Sequence, residues 1–247
     1  MAVIPEHLFR RDGITNQEVL NAITPTKEQQ RTLYVMAGYL VFILISWNTP
    51  ILKQILYPFK LVTVAFHEFS HAFAGVCTGA KIMAITVDPN EGGATLMRGG
   101  FWWFTMPAGY LGSSFIGALM IMCGYNDLAS KIMSVIIILC LVSTLFWARN
   151  WLTRFITVLF IIPIVLLWIF FNGVGLRYFV LFMGVMSCFY CLWDIVEDLV
   201  VRKVNESDAS KFAKATGFPS QCCGFIWFVI SFIFFVAGVL LGIVLFK

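Results

Sequence analysis

Two histidines and a glutamate sit within five residues, His67-Glu68-Phe69-Ser70-His71, inside a run from Leu61 to Gly79 that is otherwise apolar. Residues four apart share one face of a helix, so both imidazoles can bind a single metal ion. Glu68 lies beside them, where it could hold and deprotonate a water that the metal acidifies. The motif recurs by chance in soluble chains. In a lipid-buried helix the same three ionisable groups are costly, which favours a purpose over accident. The competing reading is a polar cluster lining a water-filled cavity or proton path.

The 247-residue chain is 60% hydrophobic and 12% charged. Soluble domains carry about 25% charged residues, so this is the composition of a polytopic membrane protein. The net charge of +4 is modest, and no basic cluster with interleaved aromatics points to nucleic acid. The seven cysteines are odd in number and scattered, which is no disulfide framework. Cys188-x-x-Cys191 lies within a span and reads as helix packing before a metal pair; Cys222-Cys223 reads the same way before a palmitoylation site.

The apolar runs predict an all-α polytopic membrane protein with about seven transmembrane helices and one short β-hairpin after the second helix. A polar N-terminal segment, residues 1–32, precedes a single membrane domain over 33–247. Thr15-x-x-Glu18 and Thr26-x-x-Gln29 read as capping boxes. The spans are expected near 33–52, 61–79, 101–123, 132–148, 155–171, 176–201 and 224–246, with Pro58 where the motif-bearing helix begins. Between the second and third, Met83–Asp88 and Ala94–Met97 flank Pro-Asn-Glu-Gly-Gly and read as two strands around a turn. Such a hairpin could pair its edge with an extended peptide. With seven alternating spans, most Lys and Arg fall on the N-terminal side, which places the N-terminus in the cytosol. The lack of a signal peptide fits an endomembrane such as the ER or Golgi.

A catalytic zinc usually takes three protein ligands. His7, the only other histidine, lies in the polar N-terminal segment. The acids ending the sixth span, Asp194, Glu197 and Asp198, share a helical face. Asp194 is the deepest and the best candidate, with Asp198 as substitute; an interfacial acid is the alternative. A polar connector, Arg202 to Gln221, follows and contains Asn205-Glu206-Ser207-Asp208-Ala209.

With these residues in view, the chain resembles the site-2 protease family of intramembrane zinc metalloproteases, in particular its M50B-like branch. The likeness runs from about Leu61 to Asp208. It implies a zinc endopeptidase of membrane-protein substrates, with His67, His71 and Asp194 as Zn²⁺ ligands and Glu68 as catalytic base. Where many family members carry Leu-Asp-Gly, this chain has Trp193-Asp194-Ile195. Two other readings stand beside it: a non-proteolytic metal-binding membrane scaffold or trafficking factor, and a transporter with ionisable groups along a path.

Overall fold

The protein is described by a computed structural model covering residues 16–90, 92–171, 174–200 and 207–247, with backbone alone at 16, 18, 19, 174 and 198–200. It is helical apart from one two-stranded sheet. Its elements run α1 (Asn16–Ile23), α2 (Lys27–Asn48), α3 (Pro50–Cys77), β1 (Lys81–Val87), β2 (Gly93–Arg98), α4 (Trp102–Cys123), α5 (Asp127–Trp147), α6 (Trp151–Phe171), α7 (Val174–Val200), α8 (Asp208–Thr216) and α9 (Ser220–Leu245). This is the all-α membrane architecture with a hairpin expected from the hydropathy. The box at Thr26 forms: Gln29 N–H donates to the Thr26 hydroxyl at 3.3 Å and Gln29 Oε1 accepts from Thr26 N–H at 2.9 Å. Thr15 and His7 lie outside the described residues.

Seven of these helices are long. Six of them (α2, α4, α5, α6, α7 and α9) are long and apolar enough to cross a membrane. The seventh, α3, carries the two histidines and Glu68. It begins eleven positions before Leu61, so Pro58 lies inside it and Pro50 takes the first-turn place where a missing N–H costs nothing. A Schellman turn closes α3. Gly79 sits at φ 82°, Gly79 N–H reaches Val76 O, and Ala80 N–H reaches Gly75 O.

The contacts fix which ends share a face. Gln29, in the first turn of α2, donates to the carbonyls of Ile243 and Phe246 at the end of α9. Arg177, in the first turn of α7, donates to Gly124 O just past α4 and to Thr32 in α2. At the other face, Trp47 near the end of α2 packs on Tyr190 and Trp193 of α7. There also Trp102 and Trp103, opening α4, pack on Phe212 of α8. The exit of α2 and the entry of α4 therefore lie on one side, and α3 with its hairpin makes no net crossing between them. The start of α2 and the end of α9 share the opposite side. The Lys and Arg tally drawn for seven alternating spans does not apply to this arrangement.

The core is built by α4 against α7 and α9. Gly184 leaves room for backbone contact: a Cβ there would lie 2.8 Å from Gly117 O. Cys188 and Cys191 are free and buried in this seam, their thiols on the Ser114 and Tyr110 carbonyls. They pack and do not join a metal-binding group among the described residues.

Candidate metal centre

Helix α3 puts His67 and His71 on one face, as the four-residue spacing requires. Their Nε2 atoms lie 3.0 Å apart. The carboxylate that meets them is Asp208, with Oδ2 2.9 Å from each Nε2. The three donor atoms converge as one group, half-buried to buried.

Asp208 arrives by way of α8. Ser207 caps this helix through Ser210 N–H at 3.2 Å, and Gly217, at φ 78°, ends it. An acid in the first turn suits the helix dipole. Phe212 docks α8, its ring meeting Trp102, Trp103 and Trp227 at centroid distances of 5.4–5.7 Å. Burial alone would raise the Asp208 carboxyl; the two imidazoles against it outweigh this and hold it well below the usual carboxylate range.

The expectation for Asp194 is corrected by this geometry. Asp194 Oδ2 accepts the Tyr110 hydroxyl at 3.0 Å, and Asp208 occupies the place beside the imidazoles. Asp194 sits on α7 behind Tyr110, whose ring stands between it and His67. Glu197 accepts from Trp193 Nε1. The Asp198 side chain lies outside the described residues. A signal for Asp208 was present in the sequence: Ser207-Asp208 is a cap and first-turn acid, and Gly217 with Pro219 marks a stop. Read as a connector, that segment concealed a nine-residue helix.

Whether these residues suit a metal can be judged from their lone pairs. His71 Nδ1 lies 2.7 Å from Thr105 O. A carbonyl only accepts, so Nδ1 carries the proton and Nε2 of the neutral ring presents a lone pair. This Nε2 lies at hydrogen-bond distance from a carboxylate oxygen and from the Nε2 of His67, contacts that a shared proton or a bound cation can each bridge. Tetrahedral zinc sets donors about 3.3 Å apart, so the triangle need open by only a few tenths of an ångström.

Gly109 of α4 completes the cradle. A Cβ built there would lie 2.3 Å from both His67 Nε2 and His71 Nε2, at the point where the donors converge. Gly109→Ala should therefore lower bound zinc to under about a tenth of the parent's. Alanine favours a helix over glycine by about 1 kcal/mol, so unchanged helical circular dichroism beside lost metal is the expected pair of results. Normal zinc in this variant would show that the ion sits elsewhere.

Glu68 is buried on the neighbouring face of α3, under the hairpin. Thr95 Oγ1 lies 2.7 Å from Glu68 Oε2 and 2.9 Å from Glu68 O. A Cβ on Gly93 would lie 2.5 Å from Glu68 Oε1, so β2 passes close against this carboxylate, and a side chain there would push it aside. Glu68, His67 and Asp208 line one cavity of about 670 Å³. Lys60, Asp194 and Tyr190 extend its wall, the Lys60 ammonium standing 3.9 Å over the Trp47 ring.

The hairpin pairs antiparallel with Ile85 opposite Thr95 and Val87 opposite Gly93. The far edge of β1 is occupied by the α5–α6 turn. Arg149 N–H donates to Ile85 O, Asn150 Nδ2 to Val87 O, and Val87 N–H to Thr153 Oγ1. Since Ile85 and Val87 point outward there, their partners Thr95 and Gly93 point outward on β2. Among the described residues, the edge of β2 beside Glu68 is therefore the one that presents outward N–H and C=O groups.

A family model described as Peptidase M50B-like matches residues 36–238. No curated protein and no solved structure matches the chain.

Proposed function

The chain belongs to the M50B-like peptidase family, whose members are membrane metalloproteases, and from that premise we propose that it is a zinc endopeptidase cutting membrane-protein substrates within or beside the bilayer. The observation that carries this reading is the convergence of one donor atom each from His67, His71 and Asp208 on one point. Zinc held there supplies a Lewis acid that polarises a peptide carbonyl and acidifies water.

The chain's own residues supply the rest. Glu68 takes a proton from the attacking water and returns it to the leaving amine. Thr95 holds the carboxylate toward the cavity. A substrate helix hides its amides in internal hydrogen bonds and must unwind before attack. The outward N–H and C=O groups of Gly93 and Thr95 take up the unwound strand, next to the base. Glu68 favours turnover over a purely structural metal site, which needs no buried carboxylate beside its ligands.

The test is metal content and cleavage together. Purified protein should hold about one zinc per chain and cut a transmembrane reporter, and His67→Ala should lose both. A folded parent free of zinc that still cuts, or a zinc-loaded parent that cuts no membrane-protein substrate, sinks the proposal.

A further inference from the structure

We propose that Tyr110 and Asp194 form a positioning unit for His67, an inference that rests on the zinc reading above. The two imidazoles are held differently. His71 is anchored at its second nitrogen by Thr105 O. Among the described residues, the hydrogen bonds of His67 are at Nε2, the nitrogen turned toward the metal point. The plane of the His67 ring is therefore set by its ring neighbours.

Tyr110 is the larger of these. Its ring meets His67 nearly edge-on, with centroids 4.8 Å apart and an interplanar angle of 83°. Tyr110 is itself fixed from two sides. Trp227 of α9 lies 5.8 Å from it, centroid to centroid. Its hydroxyl donates to Asp194 Oδ2 at 3.0 Å. A phenol tied at its far end cannot tilt away from the imidazole. The chain Asp194–Tyr110–His67 thus does for one ligand what the Thr105 carbonyl does for the other. It also explains why an acid inside an apolar helix lies near the metal site without reaching it.

Loss of a group that orients a ligand costs roughly 10- to 100-fold in metal affinity. Zinc affinity of the full-length protein, measured by competition with a chromophoric chelator, is the first readout. The second is the visible spectrum of the cobalt-substituted protein, which reports ligand geometry without turnover. Tyr110→Phe and Asp194→Ala should each weaken zinc by about 10-fold and shift the cobalt bands. The double variant should be no worse than either single one, because both act through one unit. Asp194→Asn keeps an acceptor oxygen for the phenol and should stay within about threefold of the parent, with parental bands. A direct ligand would behave otherwise: Asp194→Asn would fall as far as Asp194→Ala while Tyr110→Phe stayed silent. That pattern, additive losses in the double variant, or parental affinity throughout would overturn the inference. A parent that binds no zinc at all removes the functional reading and this inference with it.

Discussion

Asp208→Ala should strip the protein of zinc and of proteolysis together, while Asp194→Ala leaves a weakened but occupied site. The expectation follows from the donor atoms. Asp208 Oδ2 is 2.9 Å from both imidazole nitrogens, whereas Asp194 is engaged with Tyr110. Losing one of three donors leaves two histidines on one helix, and the affinity loss should exceed the roughly 10- to 100-fold expected for an outer partner. Asp208→Ala also relieves a buried carboxylate, so the helices should remain folded and the comparison should report the metal alone. Glu197→Ala, at a residue bonded to Trp193, should leave zinc in place. The measurement is zinc per chain after dialysis against a weak chelator, across the three variants. Full zinc in Asp208→Ala with depleted zinc in Asp194→Ala would reverse the ligand assignment.

Glu68→Gln should separate metal binding from chemistry. Glutamine has nearly the same shape and keeps an acceptor oxygen for the Thr95 hydroxyl, which lies 2.7 Å from Glu68 Oε2. The packing of β2 over α3, where the Gly93 backbone lies close against this side chain, is therefore retained. An amide cannot accept the water proton at neutral pH. Cleavage of a transmembrane reporter should fall by about 10²- to 10⁴-fold, the range that a positioned base contributes, with zinc content unchanged. Parental cleavage rates in Glu68→Gln would remove the base from the mechanism. Loss of zinc would instead make Glu68 a ligand.

These two variants divide the site along the line between what is local in the chain and what is not. The meeting of His67 and His71 was legible because a helix fixes its own geometry: four residues of spacing bring two imidazoles to one face whatever the rest of the chain does. The same holds for the cap at Thr26 and Gln29, where the partners are three residues apart. It holds for the hairpin, whose turn is closed by Asp88 N–H on Gly92 O. Hydrophobic runs of about 20 residues likewise announce membrane helices, since lipid leaves a backbone few other ways to satisfy its hydrogen bonds.

The third donor was decided across distance. Asp208 meets His67 and His71 over 141 and 137 residues of chain, and no periodicity encodes such a separation. Asp194 and Asp208 are both acids close to the end of α7. What separates them is that Phe212 seats α8 among Trp102, Trp103 and Trp227, while Tyr110 fills the space between Asp194 and the metal point. The course of α3 was also beyond local reading. Its run from Leu61 to Gly79 reads as a span, but α3 as a whole is not among the helices apolar enough to cross, and the α2 exit and the α4 entry share a face. The outer edge of the hairpin belongs with these: the turn after α5 covers β1, so among the described residues the outward edge is that of β2, beside Glu68. Spacing determined the helix-borne half of this site because a helix is its own ruler; packing between helices determined the other half, because which aromatic fills which gap is a property of the assembled bundle.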